Sequence, residues 1–261
     1  MAATGLVARG EGSPSLLRVG TWNLEGRWTS AHRQLLVDEA CDVWLLTEVR
    51  DDVALPGFGV YSTAERMSHR RHWAAVLARE AVTPFPDPHP ASVATVGMGV
   101  TWCSSVLPWR SCGPDPWGDG TTADKTCRAL DQIMGSLPTG DLIWDGDWNH
   151  AMRGRDYSGC LAGRAAIQAA LAGRGVKSAT EGLPHQISGL LTIDHIAIPE
   201  RWQVRDARRV AAESPDGRRL SDHDAYVVEV AADSAAWSGT FAGEAEVRRE
   251  SRRLIDRYRG A

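Results

Sequence analysis

The sequence predicts an α/β protein in which two mainly antiparallel β-sheets pack together and are flanked by helices. Strand-like apolar runs outnumber helical segments, and the helical segments are spaced between those runs, which is the pattern of a layered α/β domain. The chain has 261 residues, 43% of them apolar. This is enough for one large domain with a packed core, so we expect one domain rather than two small ones.

The first half of the chain predicts strands with one helix among them. The strands cover residues 16–24, 42–49, 57–64 and 73–79, and two runs within 93–107. The run over 42–49 is almost entirely apolar, as expected of a strand that is covered on both faces. A helix is predicted over 29–40, where Leu35 and Leu36 lie at helical spacing behind Thr29 or Ser30 as the N-terminal cap.

The second half predicts two helices and four strands. The helices cover residues 125–137 and 161–174, and the strands cover 141–145, 187–198, 202–210 and 223–230. Residues 108–122 contain too many prolines and glycines to form a regular element, so we expect a long loop there.

The predicted domain covers residues 15–232, between a Gly/Ala/Ser-rich leader over 1–14 and an Arg-rich helical extension over 233–261. We find neither a secretory signal nor an apolar run approaching the ~18 residues that span a membrane. The five cysteines show no Cys-x-x-Cys spacing, so neither a disulfide framework nor a zinc site is indicated. We therefore expect a cytoplasmic protein without a membrane partner, and a monomer.

Polar residues follow several predicted strands, each at the point where an apolar run ends or begins. These clusters are Trp22-Asn23-Leu24-Glu25, Thr47-Glu48, Gly146-Asp147-Trp148-Asn149, Ile193-Asp194-His195 and Ser221-Asp222-His223. Any one of them is a common turn sequence and has little meaning alone. Their combined order predicts that one edge of the fold collects carboxylates, two amides and one histidine.

Four of these carboxylates require a positive partner if they meet. Two like charges ~4 Å apart repel by about 4 kcal/mol at an effective dielectric of 20. A divalent cation would remove that cost for Glu25, Glu48, Asp147 and Asp222. Because the ligands are all oxygens, Mg²⁺ or Mn²⁺ is favoured over zinc. The pattern therefore predicts metal-assisted cleavage of a phosphate ester.

His223 is the group in these clusters that titrates near neutral pH. We expect Asp194 to orient its ring, as in a catalytic dyad. Strand alternation turns His195 away from Asp194, so we interpret His195 as structural or exposed. Asn23 and Asn149 can donate hydrogen bonds to a phosphoryl oxygen or a water without adding charge.

In these motifs and their order, the chain resembles the endonuclease/exonuclease/phosphatase superfamily over about residues 16–230. The resemblance implies a four-layered α/β sandwich and a Mg²⁺-dependent hydrolase that uses in-line attack of water. It implies the following roles: phosphate contact for Asn23, metal binding for Glu48, Glu25 and Asp222, activation and orientation of the water for Asp147 and Asn149, and a phosphate-contacting dyad for Asp194 and His223. The family mechanism leaves open whether the Asp or the His is the base.

The chain departs from the family on the central strand, where many members carry a His, Tyr or Arg that touches the phosphate. The corresponding run over 99–107 offers only hydroxyls. Arg110, in the loop after this strand, is our candidate for protonating the leaving group, with Lys125 as a second possibility.

Substrate binding is predicted from local charge, because the net charge of -4 argues against a broad grip on nucleic acid. Arg70 and Arg71, together with His69 and His72, form a local basic cluster that would hold flanking phosphates of DNA or RNA. A rim of tryptophans could stack bases; its members are Trp28, Trp73, Trp109 and Trp117. Most other tryptophans, including Trp44 and Trp144, are expected in the core.

Three functions remain open at this stage. A metal-dependent nuclease acting on DNA or RNA is our first prediction. A phosphatase or phosphodiesterase for a small or lipid-like phosphate ester is the second. A catalytically silent binding protein with this fold is the third, and it is disfavoured because the carboxylates and the dyad are all present.

Overall fold

The structure is a computed structural model, and it describes residues 16–231. The strands are β1 (Leu16–Asn23), β2 (Val43–Arg50), β3 (Gly59–Ser62), β4 (Arg66–Ser68), β5 (Arg71–Ala78), β6 (Thr83–His89), β7 (Ser92–Gly97), β8 (Val100–Ser105), β9 (Leu142–Asp147), β10 (Val176–Ser178), β11 (Asp194–Pro199), β12 (Gln203–Val210) and β13 (Ala225–Ala231). The helices are α1 (Ser30–Asp38), α2 (Thr122–Ser136) and α3 (Leu161–Gly173). The predicted leader and the predicted helical extension lie outside the described residues.

The strands form two sheets. One has the order β12-β13-β1-β2-β5-β3, with β4 also paired to β5, and the other has the order β10-β11-β9-β8-β7-β6. Most pairs are antiparallel, and the exceptions are β1 with β2 and β8 with β9. This confirms the prediction of two packed, mainly antiparallel sheets.

Three buried clusters define four layers. Val19, Val76, Trp102 and Ile196 belong to the cluster between the sheets, where apolar side chains of both inner faces meet. A second cluster joins the outer face of the β6–β11 sheet to α2 and α3, and a third joins the outer face of the other sheet to α1. The order is therefore helix, sheet, sheet, helices, which is the predicted sandwich.

Two of the three described helices, α1 and α2, begin where the sequence offers a capping oxygen. Thr29, one of the two residues predicted as the cap of α1, accepts from the His32 amide. Thr121 and Asp124 form a reciprocal capping box at the start of α2. The irregular loop expected before α2 is present, although the helix begins three residues earlier than predicted.

Three short strands were not predicted. In β6 the sequence Thr83-Pro-Phe-Pro-Asp-Pro-His hides the strand, because proline cannot complete a central ladder. Because β6 is at the edge of its sheet, it needs to form a ladder on one side only, and prolines are tolerated there. Residues 65–72, between two of the predicted strands, contain β4 and the start of β5, and β10 follows α3.

The strand expected over 187–198 is wrong in its first half. Only Asp194–Pro199 forms β11. The preceding residues form a tight hairpin closed by an isolated bridge between Pro184 and Leu191, with Gly189 at positive φ. Glycine has no side chain to oppose that conformation, so the chain reverses there instead of extending the strand.

Two of the four tryptophans predicted to form an exposed rim are buried in the core. Trp44 and Trp144 are fully buried, as expected. Trp73 and Trp117, however, are also buried and pack edge to face in the core, so they cannot form a base-stacking rim. Trp28 and Trp109 remain partly exposed. Among the helices within 16–231, none combines the length and apolar character needed to cross a bilayer.

Candidate active site

The topology explains why distant sequence clusters meet at one edge. Strands β1 and β2 are parallel, so Asn23 at the end of β1 lies beside Thr47 and next to Glu48. Strand β13 runs antiparallel to β1, which brings the segment before β13 to the same end. In the other sheet Asp194 is the direct antiparallel partner of Asp147. The packed sheets then bring the two halves together.

Asn23 is the central connection of the site. Its Nδ2 donates to Asp147 Oδ2 at 3.0 Å and to Glu48 Oε1 at 3.2 Å. Its Oδ1 accepts from the Glu25 amide at 2.9 Å. One buried amide therefore holds two carboxylates of different sheets close together, and its orientation is fixed by the backbone of a third.

Asp147 lies between the two sheets and is almost fully buried. Its Oδ1 accepts from the Asn149 amide at 2.9 Å. Burial raises the pKa of Asp147 to about 7, with the His223 charge opposing this and the Asp194 and Glu48 carboxylates adding to it. The carboxyl can thus take up or release a proton near neutral pH.

The Asn149 side chain is held at both ends. Its Nδ2 donates to the Leu107 carbonyl at 3.0 Å, and its Oδ1 accepts from Ser158 Oγ at 2.9 Å. These bonds anchor the loops that follow β8 and β9. The contact of Asn149 that the structure establishes with Asp147 is through its backbone amide.

His223 and Asp194 form the predicted dyad. His223 Nδ1 lies 2.7 Å from Asp194 Oδ2, and His223 Nε2 lies 3.8 Å from Asp147 Oδ2. Burial opposes a charge on the ring, but Asp194 and Asp147 outweigh burial and raise the pKa of His223 well above its usual value. The ring is therefore an imidazolium at neutral pH.

The remaining predicted carboxylates are Glu48, Glu25 and Asp222. Glu48 Oε2 is 2.8 Å from Arg71 Nη1. Glu25 Oε2 accepts from the Asp222 amide at 3.1 Å, so these two acidic residues are also neighbours. We call Glu25, Glu48 and Asp222 the metal-side acids.

The backbone is strained where these groups lie. Among the described residues, six that are not glycine have positive φ, and four of them are predicted site residues: Glu25, Glu48, Arg70 and Asn149. Such conformations cost about 1–3 kcal/mol each and persist where the surrounding structure enforces them. The concentration of strain at this edge is typical of a functional site.

The donor set fits a divalent cation that prefers oxygen. Ligand atoms of Asp147, Asp194 and His223 lie within 4.8 Å of one another. A protonated imidazole cannot bind a metal, however, so the oxygens of Glu48 and Asp147, which share the Asn23 amide, are the better candidate ligands. Burial is the main cause of the raised pKa of Asp147, and the Asp194 and Glu48 carboxylates add to it, so a cation would favour the charged form of this acid.

The predicted substrate-binding residues are only partly at the site. Arg71 contacts Glu48 directly, and its guanidinium lies against Gly26, where a Cβ would be 2.2 Å from Arg71 Nε. Arg70 is exposed beside it. Arg110 is exposed in the loop after β8, and both its Nε and Nη2 donate to the Gly159 carbonyl, at 3.2 and 3.1 Å. Arg110 is therefore held against a loop rather than against the dyad.

Sequence reasoning missed one group that supports the site. Ser221 Oγ donates to the Asn23 carbonyl at 2.6 Å and accepts from the His223 amide at 3.1 Å, so it ties the dyad to β1. Asp145, two residues before Asp147, is fully buried, and burial raises its pKa well above the usual range. His195 is buried too, with its ring 4.9 Å from that of Trp148, and takes no part in the dyad.

The fold has clear counterparts among solved structures, although no family model and no curated protein matches the sequence. An AP endonuclease from Archaeoglobus fulgidus superposes with a TM-score of 0.62 at 13% identity, covering 81% of this chain and 98% of that one. A Neisseria 3' phosphatase, NExo, bound to a product DNA hairpin gives 0.60 at 15%, with 81% and 98% covered.

The endonuclease domain of TRAS1, a telomere-specific non-LTR retrotransposon, gives a TM-score of 0.58 at 15% identity, covering 84% of this chain and all of that one. Identities this low establish the architecture rather than the reaction. The chain therefore shares the fold of these three proteins, which is the fold that the resemblance of its sequence motifs implied.

Proposed function

We propose that this protein is a divalent-metal-dependent phosphodiester hydrolase that cleaves DNA or RNA by in-line attack of an activated water. The observation that carries the proposal is the chain of contacts from Glu48 through Asn23 and Asp147 to His223 and Asp194. It combines acidic oxygens, a proton acceptor and a cation within one connected cluster.

The titration of the two central groups supports a division of roles. Asp147, with a pKa of about 7, accepts the proton of the attacking water. His223, held protonated by Asp194, donates to a phosphoryl oxygen and offsets its charge. Asn23 keeps Asp147 oriented and can donate to the phosphate when the acid moves.

The metal-side acids, with Asp147, are the residues that would hold Mg²⁺ or Mn²⁺. When bound, such an ion polarises a phosphoryl oxygen and offsets the charge that develops in the transition state. Arg71 balances part of the charge of Glu48 in the present arrangement. Its guanidinium is also placed to contact the phosphate once the acid is shared with a cation.

Two adjoining cavities favour a polynucleotide over a small ester. A cavity of about 440 Å³ is lined by Arg27, Trp28, Arg50, Arg218 and Arg219, among others. One of about 210 Å³ is lined by Arg50, His69, Arg70 and Arg71, with Gly26 and Arg50 common to both. We call the two together the arginine groove. It begins next to Glu25 and suits phosphates that flank the scissile bond.

The test is hydrolysis of a substrate panel with and without Mg²⁺. The panel comprises plasmid, single-stranded DNA, RNA, abasic duplex, a DNA hairpin with a 3' phosphate, inositol phosphates and bis-(p-nitrophenyl) phosphate. We expect EDTA-sensitive cleavage of a nucleic acid, reduced at least about 10³-fold in Asp147→Asn and His223→Ala.

The matched control is Asp131→Asn, which removes an exposed carboxylate on α2 and leaves the site unchanged. Cleavage that persists in Asp147→Asn, or that survives EDTA, rules out the proposal. A catalytically silent protein would show no Mg²⁺-dependent hydrolysis of any substrate.

A further inference from the structure

The hairpin between Pro184 and Leu191 is held rigidly beside the dyad. Besides its own bridge, it accepts a hydrogen bond from the Tyr226 hydroxyl to the Pro184 carbonyl and one from the Tyr157 hydroxyl to the Leu191 carbonyl, both at 3.1 Å. Arg209 Nη1 donates to the His185 carbonyl at 2.8 Å. A segment tied to three other parts of the fold places its side chains in defined positions.

His185 in this hairpin has a defined tautomer. The Ile187 amide donates to His185 Nδ1 at 3.0 Å, so this nitrogen carries no proton. Burial lowers the pKa of His185. The ring is therefore neutral at pH 7, with its proton on Nε2.

The Nε2–H of His185 has no protein acceptor among residues 16–231. The residue is only 6% exposed, but its Nε2 is not one of the enclosed atoms that lack a partner, so this atom reaches the surface. A donor that reaches the surface and is not used by the protein is available to a ligand that binds beside it.

The surroundings of His185 indicate which ligand. Its ring centroid is 6.4 Å from that of His223, and the two rings meet edge to face at 81°. Two donors that each hydrogen-bond a different oxygen of one phosphate lie up to roughly 8 Å apart. A separation of 6.4 Å between the ring centroids is therefore compatible with one phosphoryl group that accepts from both imidazoles.

The two serines of the central strand offer no competing donor. Ser104 Oγ donates to the Leu46 carbonyl at 3.2 Å, and Ser105 Oγ accepts from Trp144 Nε1 at 3.0 Å. Both serines are fully buried. Their hydroxyls are therefore used within the core.

We propose that His185 is a further catalytic residue, whose neutral Nε2–H donates a hydrogen bond to a non-bridging oxygen of the same phosphate that His223 contacts. This proposal rests on the proposed function. The neutral ring acts as a hydrogen-bond donor and transfers no proton. Tyr157 packs edge to face on His185 at 5.3 Å and acts as a positioning residue.

Two substitutions separate a contact with substrate from a role in the hairpin. In His185→Asn, the side-chain oxygen can replace Nδ1 as acceptor for Ile187, but no donor reaches the Nε2 position. In His185→Gln, the amide nitrogen reaches the Nε2 position, but the bond to Ile187 is lost. A purely structural histidine would tolerate Asn better than Gln.

We expect His185→Asn to lower kcat for the cleaved substrate about 10- to 100-fold and His185→Gln to recover part of it. The inhibition constant of inorganic phosphate, measured on the same variants, should follow the same order. Thermal unfolding of both variants verifies that the fold persists. Nitrogen NMR of labelled wild type gives a measurement that needs no variant: Nε2 should carry the proton, and its resonance should move when phosphate is added.

Wild-type kcat in His185→Asn, a lower kcat in Gln than in Asn, or an unmoved Nε2 resonance overturns the role of His185 and leaves the hydrolase intact. Absence of hydrolysis by the wild type on every substrate overturns the proposed function and the role of His185 with it.

Discussion

Single side chains in this site make hydrogen bonds to several other site residues, and Asn23 is the clearest example. Its amide nitrogen is shared between Asp147 and Glu48, while its oxygen holds the Glu25 backbone. Replacing it with a shorter or apolar residue would leave two neighbouring carboxylates without their common donor. The pKa of Asp147 near 7 depends on the same geometry, since Asp194 and Glu48 add to the effect of burial.

His89 allows a pH prediction away from the site. Burial lowers its pKa to about 4, and its Nδ1 accepts from the Ala91 amide at 3.0 Å. The folded state therefore resists protonation that the unfolded chain accepts below pH ~6.5. Above pH 6.5 the ionisation of His89 does not change the free energy of unfolding. As the pH falls from 6.5 to 4, protonation of the unfolded chain lowers that free energy.

We expect His89→Asn to remove this decrease in unfolding free energy at low pH. The asparagine oxygen can still accept from the Ala91 amide, but the side chain does not titrate. Relative to the variant, the wild type should lose on the order of 2–3 kcal/mol of unfolding free energy between pH 6.5 and 4. Urea titrations at several pH values measure the difference, and all other titrating groups cancel in it. Parallel pH profiles for the two proteins would show that His89 is not the group responsible.

At the scale of the element, the site depends on how closely two strands approach. Gly146 in β9 has a φ of 126°, and a Cβ there would lie 2.0 Å from the Ser105 carbonyl oxygen in β8. No other residue can occupy this position without separating β8 from β9. Because Asp147 follows directly, the separation would also displace the central acid of the site.

Gly146→Ala should therefore destabilise the protein by about 3 kcal/mol or more. It should also reduce any Mg²⁺-dependent hydrolysis. Guanidinium unfolding and the hydrolysis assay are the measurements. The matched change is Gly135→Ala near the end of α2, where a Cβ meets no atom within 4 Å and should stabilise by about 0.5 kcal/mol. Equal stability of the two variants would contradict this account of β9.

At the scale of the whole molecule, charge is unevenly distributed. The net charge is -4, yet the arginine groove gathers six arginines beside the acidic site. Several of them are paired with acids, but Arg70 has no ion-pair partner among the described residues, and Arg218 is 86% exposed beside Asp216. Such side chains can exchange an exposed carboxylate for a phosphate at little cost.

We expect the double variant Arg70→Ala/Arg218→Ala to bind a single-stranded oligonucleotide more weakly in EDTA. The slope of log affinity against log salt should become shallower by roughly 1.4, because two phosphate contacts are lost. Hydrolysis of bis-(p-nitrophenyl) phosphate, which has no flanking phosphates, should be unchanged. Arg205→Ala, which removes one exposed arginine on β12 outside the groove, is the control for the loss of positive charge as such. An unchanged slope in the double variant would exclude the groove as the nucleic-acid interface.

The sequence by itself determined the layered α/β class and most of the strands, because alternating and continuous apolar runs depend only on local periodicity. It also determined which acids, amides and histidine to examine, since their clusters stand at strand ends. Leu36, Trp44 and Trp144 were predictable core residues for the same reason.

The tertiary structure alone decided which of these residues touch, because contacts between segments that are distant in the sequence depend on sheet order and packing. It placed Asp194 opposite Asp147, turned Arg71 onto Glu48 and held Arg110 against Gly159. It also put Trp73 and Trp117 in the core and hid a proline-rich strand at a sheet edge. His185 carried no signal in the sequence, since its tautomer and its distance from His223 arise from a hairpin that only the folded chain forms.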